Sequence, residues 1–344
     1  MHTGALRVVE LAGSPGDLGR GHAEACGELI RRYVDERLER ATDQRWSGGG
    51  SVDRDFILGL ADSTLPAHEA YSPDLYEEMV GMSHAAGITP AEAVVVGGFT
   101  DMVDVIRARV GESATEDNCT AVLDPADGVL AQTWDMHKSA EEYVYVFRMH
   151  PDRGPAAIVF TTAGCLGQIG MNEAGIAIGI NNLTSWGKSG VTWPFVVRKA
   201  LAQSDFDAAV EAVTSADLAG GHNFLVLGPG GRGVNVEAMP GNKVVTTVTG
   251  SPFVHTNHCL APETASEEAP RLQESVVSSD IRLKLGVDLA RDLEDFFARP
   301  EIARHANAPE ETATCGAVIM EPGRRSMRAV WGVPGSAPWE TLTL

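Results

Sequence analysis

Four short polar clusters in this chain hold residue types able to do chemistry: Asn118-Cys119-Thr120, Gln132-Thr133-Trp134-Asp135-Met136-His137, Asn181-Asn182 and His255-Thr256-Asn257-His258-Cys259. A thiolate is a nucleophile, a carboxylate orients an amine or a base, and a carboxamide N–H stabilises a developing oxyanion. Between the first two clusters lies Asp124-Pro125-Ala126-Asp127-Gly128, the composition of a hairpin turn. A four-residue loop from Pro125 to Gly128 sets Cys119 opposite Trp134. A three-residue loop, Ala126 to Gly128, sets it opposite Asp135 instead. Either register leaves Asp135 opposite or diagonal to Cys119, about 5–8 Å apart at the side-chain bases.

A carboxylate alone raises a neighbouring thiol's pKa, the wrong direction for attack. The pair makes chemical sense once a cation or amine lies nearer still. A free α-amino group, with a pKa of about 7.7–8.0, serves as base for its own side chain. That requires the Asn118–Cys119 bond to be cut, with Asp135 orienting the new amine.

The elements that would position these groups fall in two styles. From Pro15 to about Ile106 the apolar spacing is mostly helical, with Asp17 as the cap of the first helix, a break at Trp46–Ser51, and Ser72 capping a helix that starts at Pro73. From Cys119 the period changes to two. Strands are expected through Val129–Asp135, Tyr143–Met149, Ala156–Thr161, Gln168–Met171, Ile176–Asn181, Asn223–Leu227, Val234–Ala238, Lys243–Val248 and Phe253–Asn257, with a last hairpin of Ala317–Glu321 and Met327–Trp331. Helices intervene at Pro194–Gln203, up to Val213, and from about Glu274 to Leu285. Helices, then strands, then both again predict two sheets covered by helices, an α/β/β/α layering of the α+β class. The helical residues 1–118 and the core 119–344 are expected to form one structural domain.

Composition narrows the function. Asp plus Glu number 47 against 27 Lys plus Arg, a net charge of −20 with no basic run, which excludes nucleic acid and anionic lipid as partners. No apolar run approaches the ~20 residues of a membrane span, and the amino terminus lacks a basic-then-apolar leader, so a cytoplasmic protein is expected. The five cysteines are odd in number and never paired as Cys-x-x-Cys, which leaves room for a working thiol. Cys26, Cys165, Cys259 and Cys315 read as buried thiols. His255 and His258 stand three apart, so on a strand they point to opposite faces and no metal site is expected.

Together the motifs resemble the isopenicillin N acyltransferase (acyl-coenzyme A:6-aminopenicillanate acyltransferase) family of N-terminal-nucleophile hydrolases. The resemblance runs from about Gly13 to Glu321. Its carriers are Gly13-Ser14-Pro15-x-x-x-Gly19, Cys119-Thr120, Gln132-x-Trp134-Asp135, Gly167-x-x-Gly170-x-Asn172-x-x-Gly175-Ile176-Ala177 and His255-Thr256-Asn257-His258. It implies an αββα four-layer sandwich of two mainly antiparallel sheets, and a precursor that cuts itself before Cys119 into two fragments that stay associated. By the same resemblance Cys119 is the nucleophile, Asp135 orients the amine, and Asn257 donates to the oxyanion. Penicillin V acylases and bile-salt hydrolases, more distantly similar, imply Asn181 or Asn182 as a second polar contact and Arg282, in Ser279-x-x-Arg282, as a buried support. The implied reaction is hydrolysis or transfer of the acyl group of a small-molecule amide or thioester in secondary metabolism. It needs no cofactor, with acyl-coenzyme A open as a co-substrate. Two rival readings belong to other classes: a zinc-dependent hydrolase built on the His255 region, and a non-catalytic binding protein on the same fold.

Overall fold

The period-two segments after Cys119 stack as two sheets in the computed structural model of the chain, which describes residues 5–43, 52–111, 119–289 and 292–344. The larger sheet runs in spatial order β1 (Val8–Gly13), β4 (Val144–Pro151), β5 (Ala157–Thr162), β6 (Ile169–Asn172), β7 (Ala177–Leu183), β8 (Gly221–Gly228), β9 (Arg232–Ala238) and β10 (Lys243–Val248). The smaller runs β11 (Phe253–His255), β2 (Ala121–Asp124), β3 (Val129–His137), β12 (Thr312–Glu321), β13 (Ser326–Trp331) and β14 (Glu340–Thr343). Neighbours pair antiparallel except β1 with β4, which is parallel with Val8 against Val146. This αββα sandwich is the layering expected from the sequence.

Helices from the first third of the chain cover the larger sheet. They are α1 (Pro15–Thr42), α2 (Arg54–Asp62), α3 (Leu65–Tyr71), α4 (Pro73–Ala86), α5 (Pro90–Gly97) and α6 (Phe99–Val110). Two later helices, α7 (Trp193–Leu201) and α8 (Phe206–Thr214), join them on that sheet. The short α9 (Pro262–Ala265) leads to α10 (Gln273–Leu289) and α11 (Leu293–Phe297). The last two helices cover the other sheet, where Val122, Ala131, Ala317, Ile319 and Val330 form one apolar cluster with Phe296 and Phe297. One continuous core, from Ile30 and Met82 through Phe160 and Phe224 to Val318, joins residues on both sides of Cys119.

Several local expectations change. The cap of α1 is Ser14, not Asp17: Pro15 fills the first helical position, and Asp17 closes a capping box back to Ser14. The Trp46–Gly50 stretch of the expected break, with Ser51, lies outside the described residues. Strand β1 escaped the sequence reading because its pairing partner lies more than a hundred residues away. As expected, Ser72 caps α4.

The two sheets are tied together beneath the candidate site. The Gln132 carboxamide of β3 crosses to β7, where its oxygen accepts the Ile180 N–H at 2.7 Å and its nitrogen donates to the Ile180 carbonyl. This close approach requires glycine next door, since a Cβ on Gly179 would stand 2.7 Å from the Gln132 oxygen. Among the described residues no single helix is long and apolar enough to cross a membrane.

Candidate active site

The hairpin that governs Cys119 and Asp135 adopts the four-residue loop. Asp124 faces Val129 and Ala121 faces Gln132. Thr120 continues the ladder, its carbonyl accepting the Thr133 N–H at 2.9 Å. One step further back, Cys119 falls opposite Trp134, and Asp135, the next residue on β3, points its side chain to the other face of the sheet, so the expected diagonal pairing with Cys119 does not form. Cys119 itself precedes the strand and is 8% exposed. Asn118 lies outside the described residues.

Both backbone polar groups of Cys119 are clamped. Its nitrogen donates to Asn257 Oδ1 at 2.7 Å. Its carbonyl accepts from Arg282 Nη1 and, at 3.3 Å, from Asn181 Nδ2. Arg282, fully buried on α10, also donates to Thr120 Oγ1 at 3.1 Å and from Nη2 to Asn257 Oδ1 at 3.0 Å. Two N–H donors converge on the Asn257 side-chain atom, which identifies it as the oxygen of the carboxamide. Its Nδ2 donates to the Asn182 carbonyl at 3.1 Å, its backbone N–H to Ser279 Oγ at 3.0 Å, and its carbonyl accepts from Arg271 Nη1 at 2.6 Å. Every polar atom of Asn257 is therefore engaged. Its oxygen faces the Cys119 nitrogen, and its Nδ2 carries a second N–H besides the one given to Asn182.

Asp135 sits on β3 facing Thr314 of β12. The Thr314 hydroxyl accepts the Arg304 N–H at 2.9 Å and donates to Asp135 Oδ1 at 2.8 Å. Next to it the register shifts between Thr314 and Gly316, so Cys315 is an extra, bulged residue. The second carboxylate oxygen, Oδ2, is buried without a hydrogen-bond partner among the described residues. Burial pushes the carboxyl up to about 6, against the downward pull of Arg282, the Thr314 hydroxyl and Arg304. A carboxyl poised there changes charge near neutrality, with one oxygen open to a cation or donor.

The remaining members of the cluster support the frame. Asn223 on β8 faces Asn181 and donates to its Oδ1 at 3.4 Å. Asn182 is partly exposed at the end of β7. His255 bridges the Thr256 carbonyl (2.8 Å) and Glu237 Oε1 (3.1 Å). Burial raises the Glu237 carboxyl, but hydrogen bonds from His255, Thr264 and Leu260 bring it down to about 2. His258 turns to Ser279. Among the described residues no group of three or more His, Cys, Asp and Glu side chains is placed to hold a metal ion.

The structure thus brings together Cys119, Asn257, Arg282, Asn181 and, through its main chain, Asn182, with Asp135 in electrostatic reach of Arg282. Ser279 is legible in the sequence only within the motif around Arg282, whereas Thr314, Asn223 and Arg271 are not legible there. Each of these three acts across the fold rather than along the chain, and nothing in its local pattern marks it.

A two-sheet sandwich between helical layers, with a backbone-clamped cysteine leading into a strand of the smaller sheet, is the αββα architecture expected from the sequence. The chain belongs to the acyl-coenzyme A:6-aminopenicillanic acid acyl-transferase family, whose profile matches residues 122–334. It is similar to the acyl-coenzyme A:6-aminopenicillanic-acid-acyltransferase 40 kDa form of Emericella nidulans, at 28% identity over 259 residues, 73% of this chain and 69% of that protein. Among solved structures it is similar to a mutant conjugated bile acid hydrolase of Clostridium perfringens (12% identity, TM-score 0.44, 66% of this chain and 92% of that one). A penicillin V acylase of Agrobacterium tumefaciens is similar at 12% identity and a TM-score of 0.39, over 62% of this chain and 82% of that one. The protein is an enzyme of an acyl-transfer family.

Proposed function

We propose that the chain is a precursor that cuts its own Asn118–Cys119 bond and then uses Cys119 as the nucleophile on a small-molecule amide or thioester, in secondary metabolism. The observation that carries this reading is the clamp on Cys119. Its nitrogen faces an acceptor, Asn257 Oδ1, and its carbonyl faces two donors, Arg282 and Asn181. Any buried peptide N–H and carbonyl needs partners; here both groups of one residue take theirs from side chains of separate segments, a buried guanidinium among them.

In self-cleavage the thiol attacks the Asn118 carbonyl carbon, the C–N bond breaks, and the nitrogen leaves as the free amine of Cys119. Water then cleaves the resulting thioester to free the Asn118 carboxylate. In turnover the amine takes the thiol proton, and Asn257 Oδ1 holds that amine in place. Sulfur attacks the substrate carbonyl carbon, and the oxyanion is met by an N–H of the Asn257 carboxamide and a backbone N–H. The leaving amine or thiol takes the proton back as the acyl-enzyme forms. Water completes a hydrolysis; an amine completes a transfer. The Asp135 carboxylate stabilises the protonated amine. The chemistry needs no metal or organic cofactor, and acyl-coenzyme A fits as an acyl donor in the thioester case. The fragments 1–118 and 119–344 stay associated, since one apolar core spans both. Incubation with an activated acyl donor tests the reading: mass spectrometry finds the added acyl group on Cys119, and finds none in Cys119→Ala.

A further inference from the structure

Thr256, Asn257 and His258 meet the middle of α10 at a single hydroxyl. Ser279 Oγ lies 3.0 Å from the Asn257 nitrogen, 2.9 Å from Thr256 Oγ1 and 2.8 Å from His258 Nδ1. Thr256 Oγ1 is also 3.2 Å from the Ser279 carbonyl oxygen. Ser279 and Asn257 have no exposed surface, so water cannot make good a missing hydrogen bond here.

We infer that Ser279 is a positioning residue for Asn257, completed by a proton on His258 Nδ1. The assignment follows from counting protons. A hydroxyl has one proton and two acceptor positions, whereas a carbonyl oxygen only accepts. Thr256 therefore gives its proton to the Ser279 carbonyl, and its own oxygen becomes an acceptor for the Ser279 proton. Ser279 Oγ keeps two acceptor positions. The Asn257 N–H fills one, and the other faces His258 Nδ1, which must carry the hydrogen. In the reverse arrangement Ser279 donates to a bare Nδ1 and Thr256 donates to Ser279. Lone pairs then oppose each other across the 3.2 Å contact between Thr256 and the Ser279 carbonyl. Only the first arrangement puts a proton in all four contacts, and the same Nδ1–H also serves the longer 3.4 Å contact with Thr256 Oγ1.

Ser279 and Arg282, one helical turn apart, then hold Asn257 at two points: the hydroxyl fixes its main chain and the guanidinium fixes its side-chain oxygen. Helix α10 sets the distance from that oxygen to the Cys119 nitrogen. Removing the hydroxyl leaves Arg282 in place but frees the peptide, so the carboxamide is present and misplaced. The catalytic consequence rests on the role proposed for Cys119; the proton assignment does not.

The test is long-range proton–nitrogen NMR on the full chain with ¹⁵N-labelled histidine, with the His258 signals assigned by His258→Gln. With neutral His258, a pyrrole-like Nδ1 and a pyridine-like Nε2 are expected, and Ser279→Ala releases the preference for Nδ1–H. An Nε2–H tautomer in the parent protein overturns the assignment. In kinetics, Ser279→Ala lowers self-cleavage and acylation by about 10- to 100-fold with KM nearly unchanged, and Ser279→Thr restores most of the rate. A folded Ser279→Ala protein that cuts and acylates like the parent overturns the positioning role while leaving Cys119 untouched. If Ser279→Ala does not fold, the parent tautomer and the Ser279→Thr rates decide. A parent protein that neither cuts nor acylates sinks the reading of Cys119, and the tautomer still decides this one.

Discussion

Asn257 turns its side-chain oxygen, 2.7 Å away, toward the backbone nitrogen of Cys119, although the two residues are 138 positions apart. An acceptor held there by Arg282 suits a nitrogen that is a peptide N–H before cleavage and an amine after it. Replacing Asn257 by Asp keeps the oxygen but loses the Nδ2 bond to the Asn182 carbonyl and adds a buried charge. Replacing it by Leu removes the acceptor. Both are expected to slow cleavage at 118/119, Leu more than Asp, by about 10²-fold or more. Fragment formation followed on a gel measures it.

Arg282 joins Cys119, Thr120 and Asn257 and pulls down the Asp135 carboxyl. Arg282→Met is expected to destabilise the protein on the order of 3 kcal/mol, because buried acceptors lose a charged donor and Asp135 loses its cation. Chemical denaturation reads the loss, and the variant stays uncut.

The Asp135 carboxyl, ordinarily near 3.8, lies at about 6 in the folded chain. Between those values the folded form holds a proton that the unfolded form has released. This group's contribution to stability is full below the lower value and is lost as pH rises through the upper one. Activity moves the opposite way if the carboxylate must face the amine: it rises with pH through about 6. Thr314→Val removes a hydrogen bond that favours the carboxylate, so the acid limb shifts to higher pH. A pH–rate profile of the variant beside the parent checks the sign.

At Gly179 an added methyl group would stand 2.7 Å from the Gln132 oxygen and 2.9 Å from Leu130. Gly179→Ala is expected to push the sheets apart and cost about 1–3 kcal/mol, visible as a lowered melting temperature with the cleavage site unchanged.

What was legible in the sequence was what is local. The Asp124–Gly128 turn is enough to set Cys119 opposite Trp134, and the change of period at Cys119 is enough to give sheets between helices. The His-Thr-Asn-His run and Ser279-x-x-Arg282 mark residues that do converge, but not how. Which atom of Asn257 faces Cys119 depends on Arg282 and Asn182, which arrive from α10 and β7. Thr314 reaches Asp135 from 179 residues away, beside a bulge at Cys315 that no spacing announces. Strand β1 joins the larger sheet in parallel with β4, a pairing set by the folded chain and not by any nearby turn.

The most direct measurement of the central claim is the amino-terminal sequence of the purified chain after incubation, for the parent, Cys119→Ala and Asn118→Gly. A fragment beginning at Cys119 is expected in the parent, sooner in Asn118→Gly, and one uncut chain in Cys119→Ala. A parent chain that never yields Cys119 as a first residue yet still turns over an acyl substrate, or an alanine variant cut equally well at the same bond, contradicts the claim.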